Sequence, residues 1–347
     1  MISATFHKYI LNFKRPSGTS RGVLRSKETW FLILKKDEKV GYGECGLFRG
    51  LSIDDRPDYH EKLLWVCKNI NLGLDVLLSK TVEFPSIQIG LEQAFLSLQS
   101  SSSSFELFPS KFTNSSHGIP INGLIWMGDK QFMKNQIKQK IKKGFRCIKM
   151  KIGAIDFTTE LAILASIREE YSSEDLELRV DANGAFKPSE AIEKLASLSK
   201  YDIHSIEQPI QQHQIQEMAS LCEVTPIPIA LDEELIGIFD TTSKTKMLQA
   251  IKPQYIILKP SLVGGFRGSK EWIDLAETMN INWWITSALE SNVGLNAIAQ
   301  WTFTLGNQLP QGLGTGGLFT NNFSSPLEVN NGLLYYHQKR NFNINMI

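Results

Sequence analysis

Two lysines two positions apart, Lys149 and Lys151, lie in the otherwise apolar run Ile148-Lys149-Met150-Lys151-Ile152-Gly153. In an extended strand the side chains at i and i+2 face the same way, so both ammonium groups point into one space and Met150 faces the opposite side. Their repulsion is expected to lower the pKa of at least one. That suits a site needing a neutral amine, because free lysine titrates at about 10.4. By itself the triplet reads as a solvated edge strand. The downstream chain changes that reading. Asp181, Glu207 and Asp232 occur in Arg179-Val180-Asp181-Ala182-Asn183-Gly184, Ile206-Glu207-Gln208-Pro209 and Leu231-Asp232-Glu233, and Lys259 comes next in Leu258-Lys259-Pro260. Three converging carboxylates repel unless a cation lies among them. Oxygen-only donors point to a hard ion, Mg²⁺ first and Mn²⁺ second, with about three of the six Mg²⁺ positions left for water or substrate. Lys151 and Lys259 flank this triad, an amine on each side of a metal.

These residues need elements that bring them together. From residue 119 on, short apolar runs alternate with amphipathic stretches. Strands are expected at 121–127, 147–152, 176–181, 203–207, 227–232, 255–259 and 281–287, with a weak eighth at 308–312. Helices are expected at 129–143, 157–171, 188–198, 211–223, 240–250, 266–279 and 293–305. Eight strands at this spacing suit a (β/α) barrel, whose functional groups gather at the C-terminal strand ends. Lys149 and Lys151, Asp181, Glu207, Asp232, Lys259 and the Ser287–Ser291 segment all fall there. Singly, each reads as a buried ion or a helix N-cap; six successive strands in register do not. The alternative architecture is an open doubly wound sheet. Before the barrel, strands at 2–13, 30–34 and 39–45 and helices at 54–69 and 87–99 make a small α+β unit. Residues 15–22, rich in Gly, Ser and Pro, are expected to form a mobile loop, and the serine run at 100–104 a linker. The domains expected are 1–117, with 322–347 packing back on it, and 118–321.

With the motifs in view, the chain resembles the enolase superfamily, in its muconate-lactonizing branch. Lys149-Met150-Lys151, Asp181-Ala182-Asn183, Glu207-Gln208-Pro209, Asp232-Glu233 and Leu258-Lys259-Pro260 carry the resemblance over 119 to about 318. It implies a modified (β/α)8 fold, a TIM-like (β/α)7β barrel with an N-terminal α+β capping domain. By the same resemblance Lys151 and Lys259 are the acid/base pair, and Asp181, Glu207 and Asp232 hold Mg²⁺, with Mn²⁺ a substitute. Substrate contacts fall to Lys149, Arg179, Ser287, Gly314 and Thr315. The chemistry implied is removal of a proton α to a carboxylate. Within the branch the segments most resemble o-succinylbenzoate synthases, lyases that eliminate water from a cyclohexadiene carboxylate in menaquinone biosynthesis. Dipeptide epimerases and N-acylamino acid racemases are the alternatives, and a catalytically silent binding barrel a third. Dipeptide epimerases carry Asp-x-Asp in the eighth-strand segment; here Gln311-Gly312-Leu313-Gly314-Thr315-Gly316-Gly317-Leu318-Phe319 has no acid. The loops 18–22 and 47–53 are the expected lid, with Arg21, Phe48 and Arg49 reading the far end of the substrate. Glu233-Glu234 departs from the more usual Glu-Ser.

Composition bounds the rest. The 347 residues are 42% hydrophobic and 21% charged with a net charge of +1, which gives no polyanion or acidic-membrane partner a handle. The four cysteines, Cys45, Cys67, Cys147 and Cys222, are scattered without a Cys-x-x-Cys, as reduced thiols of a cytoplasmic protein would be. No run of about 18 apolar residues and no secretory leader is visible. The expected partner is a small-molecule carboxylate, with no nucleic acid and no membrane; a homo-oligomer is compatible with the sequence.

Overall fold

A computed structural model describes residues 1–19 and 22–342. The chain opens with three antiparallel strands, β1 (Ser3–Thr19), β2 (Gly22–Lys36) and β3 (Lys39–Cys45), ordered β1-β2-β3. Of the mobile loop expected at 15–22, residues 17–19 and Gly22 instead belong to the far end of a β-ribbon, with Ser17 opposite Leu24 and Thr19 opposite Gly22, and residues 20 and 21 lie outside the described residues. The ladder breaks register between Asn12 and Ser17. Pro16 falls in that break, where its missing N–H removes no pairing. Helices α1 (Tyr59–Lys68), α2 (Leu74–Ser79) and α3 (Pro85–Gln99) complete the unit. The first begins five residues later than expected, because Pro57 disfavours helical backbone before it. Helix α3 lies directly on β3: a Cβ at Gly43 would overlap the carbonyl oxygen of Gly90. Residues 100–118 are bound down, with the amides of Leu107 and Phe108 donating to Gln300 Oε1 (2.8 and 3.1 Å) and Phe112 fully buried.

Next come β4 (Ile119–Pro120), β5 (Gly123–Ile125), α4 (Lys130–Lys142), β6 (Cys147–Lys151), α5 (Phe157–Glu170), β7 (Glu177–Asp181), α6 (Pro188–Leu198), β8 (Ile203–Glu207) and α7 (Ile215–Val224). They are followed by β9 (Ile229–Leu231), α8 (Thr241–Ile251), β10 (Tyr255–Leu258), α9 (Pro260–Val263), α10 (Gly265–Thr278), β11 (Asn282–Ile285), α11 (Asn292–Thr304), β12 (Leu327–Asn330) and β13 (Leu333–Tyr336). Side-chain caps set several helix starts: Asp129, Asp156 and Asp240 each accept from the amide three residues on. Strands β5 to β11 form one parallel sheet in sequence order. The expected eighth strand at 308–312 shrinks to Gln311 and Gly312, which bridge Ile121 on one edge and Thr286 on the other. A side chain at Gly312 would run into Thr286, so this narrow closure needs glycine. The result is a (β/α)7β barrel; the open doubly wound alternative is excluded because both edges meet at Gln311–Gly312.

The C-terminal stretch divides. Asn321 pairs with the first sheet, its carbonyl accepting from Tyr9 Oη (2.8 Å) and its side chain from the Asn12 amide (2.8 Å). Strand β13 instead pairs with β12 and β4. Residues 343–347, the end of the segment expected to fold back, lie outside the described residues. Two carboxylates of the first unit dock on barrel helices. Glu44 accepts from the amides of Ser291 and Gly294 (2.9 and 2.8 Å) where α11 begins, and Glu92 from those of Phe266 and Arg267 (2.5 and 3.1 Å) where α10 begins. Carboxylates are favoured at helix N-termini, where amides lack intrahelical partners. Burial nevertheless pushes Glu92 up to about 7.

Candidate active site

The C-terminal ends of the barrel strands open into a cavity of about 700 Å³. One side is charged. Parallel pairing puts Lys149 beside Arg179, and Lys151 beside Asp181, which is beside Glu207. Asp181 Oδ2 accepts from both lysines, Lys149 Nζ at 3.1 Å and Lys151 Nζ at 2.8 Å, and its Oδ1 accepts from the Asn183 amide at 3.0 Å. Lys149 Nζ also donates to Glu207 Oε2. Across the barrel, Lys259 Nζ donates to Asp232 Oδ2 and lies 3.7 Å from Glu207 Oε1. Lys151 Nζ also donates to Asn183 Oδ1 (2.6 Å), and Asn183 Nδ2 donates to Glu233 Oε1 (3.0 Å).

For Lys149 this geometry works against the expected lowering of a pKa by repulsion between the two lysines. A carboxylate oxygen stands between their ammonium groups. Burial by itself would lower Lys149, but Asp181 and Glu207 outweigh it and hold the ammonium well above its usual range. Lys259 is raised in the same way, with Asp232, Glu207 and Glu233 prevailing over burial. Asp181 is depressed because three ammonium groups face it against the cost of burial. Asp232 goes the other way: burial, aided by Glu233 and Glu207, drives its carboxyl up despite Lys259.

Lys149, Lys151 and Lys259 thus face Asp181, Glu207, Asp232 and Glu233. Glu207 Oε1 is buried without a hydrogen-bond donor. Among the described residues no three Asp, Glu, His or Cys side chains are drawn into a ready cation cage, because ammonium groups stand between the carboxylates. An orphaned carboxylate oxygen and an oxygen-only donor set fit a hard divalent cation held by Asp181, Glu207 and Asp232.

The rest of the cavity is uncharged. Ser287 Oγ and Thr315 Oγ1 are 2.6 Å apart, and both line it with Thr286, Gly312 and Gly314. Leu24, Phe48 and Leu51 come from the first unit, Asn122, Leu124 and Trp126 from the first barrel strand and its end, and Ala288 and Leu289 from the loop after β11. Three non-glycine residues at the strand ends take left-handed backbone, Asn183 (φ 45°), Gln208 (φ 40°) and Leu289 (φ 61°). Such strained positions cluster at functional sites.

Of the residues singled out in the sequence, Lys149, Lys151, Asp181, Lys259, Ser287, Gly314 and Thr315 line the cavity, and Glu207 and Asp232 bond to lysines that do. Arg179 does not line it. Its Nε donates to Glu177 (2.6 Å), its Nη1 to the Pro310 carbonyl (2.9 Å), and its guanidinium lies 4.2 Å over Trp284, on the barrel floor. Strand parity put Arg179 on the inner face; its position two residues before Asp181 put it one layer too deep for the cavity. Arg49 is held by Glu28 and Asp55 (2.5 Å each) and does not line the cavity either; Arg21 lies outside the described residues. Gln208 was missed. Its Oε1 accepts from the Asp232 amide (3.2 Å) and its Nε2 donates to Glu234 (3.2 Å), tying the end of β8 to the end of β9. Asn122, Leu124 and Trp126 were missed as well, although their i, i+2, i+4 spacing marks one inward face.

Comparison with known proteins agrees with this fold. Residues 133–339 match the enolase C-terminal domain-like family. An o-succinylbenzoate synthase of Desulfotalea psychrophila is 48% identical over 96% of this chain and 98% of its own. The crystal structure of MenC from the same organism superposes with a TM-score of 0.86 at 44% identity, covering 96% of this chain and 99% of that one. A dipeptide epimerase from Enterococcus faecalis, complexed with Mg and the dipeptide L-Leu-L-Tyr, shares the fold at 18% identity, with a TM-score of 0.84 and 97% of each chain covered.

Proposed function

The chain belongs to the enolase C-terminal domain-like family, and we propose that it is a Mg²⁺-dependent o-succinylbenzoate synthase. The reaction is the syn-dehydration of 2-succinyl-6-hydroxy-2,4-cyclohexadiene-1-carboxylate to 2-succinylbenzoate in menaquinone biosynthesis. The observation that carries this reading is one cavity with a lysine from β6 and a lysine just after β10 on facing walls, in a chain 48% identical to a synthase over nearly its whole length. Residues 118–321 are taken as the catalytic domain and 1–117, with the C-terminal segment, as its cap.

Lys151 removes the proton α to the carboxylate and returns it to the departing hydroxide, so that one C–H and one C–O bond break and water leaves. Lys259, whose carboxylate neighbours keep it protonated, remains an ammonium beside the enediolate. Lys149, which bonds both Asp181 and Glu207, orders those two carboxylates. Asp181, Glu207 and Asp232 would hold Mg²⁺, which when bound would supply charge neutralisation at the substrate carboxylate; Mn²⁺ has the same oxygen preference. Ser287, Thr315 and the backbone at Gly314 offer hydrogen bonds to the succinyl arm. A cytoplasmic setting is supported by four free thiols; among the described residues no helix is long and apolar enough to cross a membrane.

The epimerase alternative needs an acid to hold the substrate ammonium. Asp181 is the sole acid among the described residues lining the cavity, and two lysines already occupy it. The deciding experiment follows dehydration of the cyclohexadiene acid by absorbance with Mg²⁺ present, beside L-Ala-L-Glu in D₂O. Dehydration without deuterium entering the dipeptide is expected. Deuterium uptake without dehydration would make the protein an epimerase.

A further inference from the structure

Strand β5 ends at Ile125, one residue short of the cavity wall formed by Trp126. A residue just past a strand end needs partners for its backbone groups away from the ladder. For Trp126 one side chain supplies both. Gln136, in the middle of α4, accepts from the Trp126 amide through Oε1 (3.0 Å) and donates to the Trp126 carbonyl through Nε2 (2.9 Å). Two bonds from one planar amide fix the backbone on both sides of Cα, and hence the direction of the Cα–Cβ bond. The indole lines the cavity and packs in a cluster with Leu11, Phe13, Leu289 and Phe319. It therefore lies where the barrel, the first sheet and the C-terminal segment meet.

We infer that Trp126 is a specificity-determining residue for the six-membered ring of the substrate, and that Gln136 is the residue that positions it. This rests on the protein being a synthase. The lysines and carboxylates recognise the end of the acid where bonds change. They offer nothing to the carbocycle, which needs a broad apolar surface at a fixed height. Trp126 is the barrel's own aromatic face in the cavity; Phe48, the other aromatic ring lining it, arrives on a loop of the first unit. Gln136 does not line the cavity and acts only through Trp126.

The test uses the full-length protein loaded with Mg²⁺. Q136M keeps the side chain's length and loses both bonds. Its KM for the cyclohexadiene acid should rise about tenfold, a loss of binding shared by ground and transition states, with kcat within about twofold of the parent. W126L should raise KM at least as much, and W126L/Q136M no further than W126L, because a residue acting through another is silent once that residue is gone. Q136E keeps the acceptor and should fall between parent and Q136M. It also serves, with the dissociation constant of 2-succinylbenzoate as readout, if Q136M does not fold. Additive effects in the double variant, or a fall in kcat with KM unmoved, would overturn the inference while leaving the synthase reading intact. A parent protein inert on the cyclohexadiene acid would overturn both.

Discussion

The cavity has two halves that differ in origin and in kind. The charged half comes from consecutive strand ends, β6 to β10, joined by ion pairs among Lys149, Lys151, Lys259, Asp181, Glu207 and Asp232. The uncharged half gathers Leu24, Phe48, Leu51, Trp126, Leu289, Ser287 and Thr315 from stretches scattered over nearly 300 residues. On the proposed mechanism the first moves a proton and stabilises charge, and the second chooses which acid is held there. The two are separable: damage to the charged half should fall on kcat, and damage to the other half on KM.

The sharpest way to break the comparison is to remove a lysine. K151A and K259A should each lower kcat by about 10³-fold or more, in the range of acid–base and electrostatic catalysis, while circular dichroism and Mg²⁺ binding persist. Turnover retained by either variant would show that the charged half is not where the chemistry occurs. Next in size is metal removal. Dialysis against EDTA should abolish dehydration, and Mg²⁺ or Mn²⁺ should restore it; full activity in metal-free protein would exclude Asp181, Glu207 and Asp232 as ligands. A smaller effect belongs to the hydroxyl pair. S287A and T315V should each raise KM about three- to tenfold, as loss of one neutral hydrogen bond does, and together little more, since the two hydroxyls bond each other. A fall in kcat instead would move Ser287 into the charged half.

The smallest effect lies outside the cavity, at the docking carboxylate Glu92. Its folded pKa of about 7 exceeds the ordinary 4.5 because burial favours the neutral acid. The native state therefore holds this proton more tightly than the unfolded chain. Stability from this group is complete below about pH 4.5 and is lost as pH rises through 7. E92Q, neutral throughout, should flatten that decline by roughly 3 kcal/mol in denaturant titrations. An unchanged slope would mean that the amides of Phe266 and Arg267 compensate fully for burial.

Much of the barrel could be read from sequence because its signals are local. Pro188–Leu198 and Ile203–Glu207 begin and end where periodicity and caps place them. Where a tertiary partner supplies the structure, the reading fell short. Residues 17–19 look like loop yet pair across a ribbon, and 308–312 look like a strand yet contribute two bridging residues, because a barrel closing on itself leaves little room there. The first unit's contribution to the cavity was legible only as a loop near the right place; Arg49 is spent on Glu28 and Asp55.

The sequence alone determined which groups meet at the strand ends. Alternation and strand order come from covalent geometry, so the positions of Lys149, Lys151, Asp181, Glu207, Asp232 and Lys259 were fixed with the barrel. It could not give the sign of their electrostatics. Two lysines two positions apart imply repulsion until Asp181 is seen between them, because Coulomb energies depend on distances and burial that only the folded chain sets. Nor could it give depth or the uncharged wall. Arg179 shares a face with Asp181 but lies a layer below, and Leu24, Phe48, Trp126 and Leu289 meet only where the first unit docks on the barrel, a juxtaposition no local pattern encodes.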